Sequence, residues 1–82
     1  MDFPEISRLL RKAAWWRATC ILIITDGGNV INNQTLLIDQ ISGDQILFDS
    51  LTLPISLVDF VVVNEDGQYV IQARKPQGDH TC

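Results

Sequence analysis

Three clusters of turn-forming residues, Asp26-Gly27-Gly28, Ser42-Gly43-Asp44 and Glu65-Asp66-Gly67, divide most of the chain into short apolar runs rich in β-branched side chains. Such punctuation leaves little room for helices and predicts strands joined by tight turns. Arg17 to Thr25 reads as a well-buried strand, closed by Asp26-Gly27-Gly28, whose residues accept positive φ. Asn29 to Ile41 reads as one long strand with a bulge or bend at Asn32-Asn33, because a straight strand there would set amides on the core face. Gln45 to Asp49 is a third strand. Ser50 to Ser56 is a half-buried one, with Leu51, Leu53 and Ile55 on one face and Pro54 at an edge, since proline cannot donate to a ladder. Leu57 to Asp59 allows a brief turn, and Phe60 to Asn64 with Gln68 to Ala73 forms a final hairpin.

Only the first segment has helical spacing. Ile6, Leu9, Leu10 and Ala13 recur at intervals of three and four and share one face, with Arg8, Arg11 and Lys12 largely on the other. Pro4 suits a first turn and Glu5 suits the positive helix end, so a helix is predicted over residues 2–16. A helix of about three turns is marginal in water, so its apolar stripe must rest on the body or on a partner.

A total of 82 residues, 46% of them hydrophobic, fits one small domain and excludes two. The expected architecture is mainly β (α+β): an N-terminal helix, then a small, strongly bent antiparallel barrel of five or six strands over residues 1–74, with a flexible tail at 75–82. Ile21, Ile23, Leu36, Ile38, Leu47, Leu53, Ile55, Val61 and Ile71 are the expected core. Cys20, inside an apolar run, reads as a small core residue and Cys82 as a free thiol, a usage that suits a reducing cytoplasm. Arg17 interrupts the one candidate signal segment, and no stretch approaches the roughly 20 apolar residues of a membrane span. A soluble, cytoplasmic protein is expected.

At Thr25-Asp-Gly-Gly28, Leu37-Ile-Asp39, Asp44-Gln-Ile-Leu-Phe48 and Leu53-Pro-Ile-Ser-Leu-Val-Asp-Phe60 the chain resembles the small Sm-like or SH3-like barrels, nearest the bacterial Rho-binding antiterminator family. The similarity lies in patterning and turn placement over residues 5–64. It implies a non-enzymatic regulator that docks on a nucleic-acid-handling protein or on RNA. The chain departs from that family in its Phe60 to Ala73 hairpin and in Trp15-Trp16, and no residue here inherits a binding role from it.

Charge narrows the choice of partner. The formal net charge of -4 disfavours nonspecific attraction to phosphate backbones or anionic membranes. Yet residues 1–17 carry Arg8, Arg11, Lys12 and Arg17 against Asp2 and Glu5, whereas the other 65 carry Arg74 and Lys75 against eight acids. A basic leader sits on an acidic body. A solvated helix face is the plain reading of this, and a docking surface the sharper one. Trp15 and Trp16 adjoin these cations; neighbours on a helix point about 100° apart, so one indole is expected beneath the helix and the other in solvent. Closing the open end of a barrel is their structural role, and a binding hot spot is the alternative.

Catalytic chemistry finds no foothold. His80, the one histidine, lies in the polar tail, and with Cys82 offers at best two metal ligands. Neither Cys20 nor Ser56 has a histidine within reach, the acidic turns lack calcium-loop spacing, and Gly27-Gly28 is not followed by Lys-Ser/Thr. No enzyme activity and no cofactor are expected. The leading expectation is a protein-interaction module, regulatory or self-assembling, that docks through Arg8, Arg11, Lys12, Trp15, Trp16 and Arg17 and through a barrel edge. Single-stranded RNA or DNA binding is the alternative, weakened by the scarcity of aromatic and basic residues after Trp16. Mimicry of nucleic acid is a third class, for which eight acids over 65 residues are sparse.

Overall fold

A computed structural model describes residues 1–76; His80 and Cys82 lie outside the described residues. Helix α1 (Phe3–Trp16) is followed by strands β1 (Thr19–Asp26), β2 (Asn29–Ser42), β3 (Gln45–Phe48), β4 (Thr52–Pro54), a single 3-10 turn at Ile55–Leu57, β5 (Val58–Val63) and β6 (Tyr69–Arg74). The protein is thus mainly β, with one helix and a six-stranded sheet of order β4-β3-β2-β1-β6-β5.

The turns sit where their chemistry directs. Asp26 pairs with Asn29, so Gly27 and Gly28 form a two-residue loop with φ of +61° and +88°, the left-handed sense that matches the strand twist. At Asn64 to Gln68 the Asn64 Oδ1 accepts from the Asp66 and Gln68 backbone N–H groups at 3.0 and 2.9 Å, which fixes the β5–β6 turn from its first residue.

Two features differ from the expected antiparallel barrel. β6 runs parallel to β1, from Cys20 opposite Tyr69 to Thr25 opposite Arg74, so the sheet is mixed. The final hairpin inserts its second strand beside β1 and sends β5 to the outside. β4 and β5 are the two ends of the order, and the sheet is not closed into a barrel. Curvature comes instead from β2, which pairs with β1 through its first part and β3 through its last, with an extra residue at Ile31 and another at Asp39. The bulge expected at Asn32-Asn33 therefore lies one residue earlier, and a second one lies at Asp39, where β2 passes from β1 to β3. Pro54 occupies edge strand β4, as its missing N–H requires. The segment expected to be one strand over 50–56 splits, because Ile55 leaves the ladder to start the 3-10 turn, its N–H donating to Asp44 O at 2.8 Å.

Cys20, Leu22, Ile24, Leu36, Ile38, Ile46, Phe48, Leu53, Ile55, Val58, Val61, Tyr69, Ile71 and Ala73 form the core with Ile6, Leu10 and Ala13 of the helix. Six of the nine expected sheet positions are in it. Ile21, Ile23 and Leu47 are not, since the opposite parity of β1 and β3 faces inward. The pairing places Thr35, Ile21, Val70 and Val62 in one row across the outer face and Asn33, Ile23, Gln72 and Phe60 in the next, a surface without a charged side chain. Helix α1 lies on the other face, against β2 and β5. Beyond Arg74, Lys75 continues the ladder: its N–H donates to Thr25 O at 2.8 Å.

Candidate protein-docking site

The helix is fixed at both ends, which determines where its last turn points. At the start, Asp2 Oδ1 accepts from the Glu5 N–H at 3.2 Å and Pro4 lies in the first turn. At the end, the Ala18 N–H donates to Ala13 O at 3.0 Å and the Arg17 N–H to Ala14 O at 3.1 Å, the paired bonds of a Schellman ending. That ending needs a left-handed residue, normally glycine, and here it is Arg17 at φ 51° and ψ 51°. A side chain at this position costs about 1–2 kcal/mol relative to ordinary backbone.

Between those caps the 3.6-residue period separates two faces. Ile6, Leu10 and Ala13 are buried, with Leu9 partly so. Arg8, Arg11, Lys12 and Trp15 fall on the opposite side and are all exposed. Trp16 lies on the flank toward β5. Contrary to the expectation that one indole packs beneath the helix, Trp15 is 79% and Trp16 64% exposed. At the end of the helix the positions turned toward the body are taken by Ala13, which is buried, and Ala14, which is partly buried. The rings stack on each other instead, edge to face, with centroids 5.3 Å apart. They do not close the end of the sheet.

Each indole borders a shallow hollow. On one side, Arg11, Ala14 and Trp15 face Asp39, Gln40 and Ile41 of β2 across about 280 Å³. On the other, Lys12, Trp16 and Ala18 face Val63, Gly67 and Tyr69 across about 340 Å³. Of the six residues singled out in the sequence, Arg11 and Trp15 border one hollow, Lys12 and Trp16 the other, Arg17 caps the helix next to Trp16, and Arg8 stands apart at the helix start, beside Asp2, Pro4 and Glu5. Sequence reasoning missed the opposing walls, Asp39 and the Val63–Tyr69 hairpin. Alternation offered no signal for that wall: it turns Val62 to the outer face, while Val63 has the inward parity of Val61 and is half exposed at the end of β5.

Electrostatics distinguish this surface from the rest. Arg74 pairs with Asp59 at 3.3 Å and Lys75 with Asp26 at 3.9 Å. Arg8, Arg11, Lys12 and Arg17 make no ion pair among the described residues, and Arg11 reaches only Ser7 Oγ, at 3.3 Å. The site is thus aromatic and cationic, with Asp39 across the Trp15 hollow in no ion pair with Arg11 among the described residues.

The remaining reactive group is inert. Cys20 is fully buried, and its Sγ donates weakly to Ala18 O, at 3.7 Å. Burial pushes its thiol up to about 11, against a smaller opposing effect of the Ile38 backbone, so it stays protonated at neutral pH and is no nucleophile. Among the described residues no group of three His, Cys, Asp or Glu side chains could hold a metal ion, and no helix is long and apolar enough to cross a membrane. Comparison with protein-family models, curated proteins and solved structures gave no match to this chain.

Proposed function

We propose that this chain is a non-enzymatic protein-interaction module of the cytoplasm, docking through the C-terminal turns of its basic helix and the neighbouring β5 edge. One observation carries the reading: the two largest apolar side chains stand in solvent beside Arg11, Lys12 and Arg17, which are in no ion pair within the described residues. Exposed apolar surface gives nothing to the fold, and tryptophan with arginine is the usual chemistry of a binding hot spot. The left-handed Arg17 supports it, because strain retained next to a candidate site is more readily explained by use than by folding. The strongly bent β2, with its tight turns, also keeps the Sm-like or SH3-like relationship as part of the proposal, in the form of an open sheet rather than a closed barrel.

Affinity capture from a native lysate tests it. Proteins retained by the wild type at low salt are expected to be lost with Trp15→Ala/Trp16→Ala and with Arg11→Ala, while circular dichroism stays unchanged; retention that ignores these changes refutes the reading. The exposure of both indoles beside guanidinium groups favours a second reading, single-stranded nucleic acid stacked on the tryptophans. Anisotropy with labelled RNA and DNA oligonucleotides decides it: binding that falls steeply with salt would move nucleic acid to first place.

A further inference from the structure

We infer that the occupant of the hollow beside Trp16 is a second copy of this chain, paired about a two-fold axis. The inference rests on the docking reading above and names its partner. The wall opposite Lys12 and Trp16 is the β5–β6 hairpin, and the turn that includes Gly67 begins with Glu65 and Asp66, both exposed and in no ion pair among the described residues. Cations and acids are therefore neighbours on one end of the molecule. Val63 and Tyr69 lie between them, with Val63 half exposed.

A surface with one positive and one negative lobe side by side is complementary to itself when turned by half a rotation. Lys12 of one copy, with Arg17 next to Trp16 in the chain, then meets Glu65 and Asp66 of the other, the reciprocal contact forms at the same time, and the Trp16 side of each copy faces the apolar strip. No single-signed partner satisfies both lobes: a purely acidic ligand would leave Glu65 and Asp66 facing like charge. The net charge of -4 per chain opposes approach only at long range, and at 0.1 M salt it is screened beyond about 10 Å.

Charge reversal makes the inference testable without disturbing the fold. The β5–β6 turn is held by Asn64, not by Glu65 or Asp66, whose side chains are free to change sign. Sedimentation velocity of the full chain over micromolar to millimolar concentration is expected to show a monomer–dimer equilibrium that weakens with salt. Lys12→Glu/Arg17→Glu alone and Glu65→Lys/Asp66→Lys alone are each expected to weaken it about tenfold or more. An equimolar mixture of the two variants should restore pairing, since each basic lobe again meets an acidic one. A wild type that stays monomeric throughout, association that neither variant weakens, or a mixture that fails to recover overturns the inference. Leu37→Asp/Val62→Asp, on the uncharged outer face, is the control: loss of pairing there but not in the charge reversals places the interface elsewhere and overturns it too. The docking reading is judged separately, by capture of other proteins on the tryptophans, and stands or falls whatever the sedimentation result.

Discussion

The two faces of helix α1 show opposite uses of apolar side chains. Ile6, Leu10 and Ala13 lose nearly all contact with water against β2 and β5, while the much larger Trp15 and Trp16, one turn further on, keep most of theirs. Size and hydrophobicity alone do not decide what holds a small fold together; the position along the 3.6-residue period does. What the helix end contributes must therefore be sought outside the folded chain.

The sharpest way to break this contrast is to truncate side chains on each face. Leu10→Ala, at a fully buried position, should lower the unfolding free energy by about 3 kcal/mol through lost burial and a cavity. Trp15→Ala and Trp16→Ala, measured in urea at a concentration dilute enough to be monomeric, should each change it by no more than about 0.5 kcal/mol. Comparable losses on both faces would remove the distinction.

The same contrast shows what could be read from the residues. The helix, its buried stripe and its cationic face were legible because a single period separates them, and the Asp26–Asn29 and Asn64–Gln68 turns because Gly and Asn carry local chemistry. The inward parity of β1 was not, since Cys20-Ile21-Leu22-Ile23-Ile24 is apolar at every position and offers no alternation to choose a face. The choice is made by the pairing with β6 and by the point at which the Schellman ending releases the chain. The parallel β1–β6 register was hidden for a related reason: it joins segments about fifty residues apart, and hairpin signals speak only of neighbours. In the site, the helix side was visible and its opposing walls were not, because Asp39 and Val63 approach it only through the bend of β2 and the outward placing of β5.

Smaller changes sharpen the comparison. Asn64→Ala removes two backbone acceptor contacts and the 3.1 Å bond from its Nδ2 to Gln68 Oε1, and should cost about 1 kcal/mol in thermal or urea unfolding. Arg17→Gly relieves the left-handed side chain and should raise stability by about 0.5–1 kcal/mol while weakening association, a split that a purely structural Arg17 would not produce. The least effect at neutral pH belongs to the Cys20 thiol. Its folded value, about 11, lies above the ordinary 9.0, so the folded chain holds the proton more tightly; the associated stability is complete below pH 9 and is lost as pH rises toward 11. Cys20→Ala should flatten that part of the alkaline decline in a pH series of urea midpoints.

Trp15 and Trp16 are the chain's two tryptophans, so its indole fluorescence reports on the docking surface and nothing else. The direct measurement is acrylamide quenching with the emission maximum, followed from dilute to concentrated protein. Water-like, freely quenched emission from the dilute chain, turning blue and protected as copies associate, is the predicted result. A blue, shielded emission in the dilute monomer would mean that the indoles serve the fold, and would contradict the account.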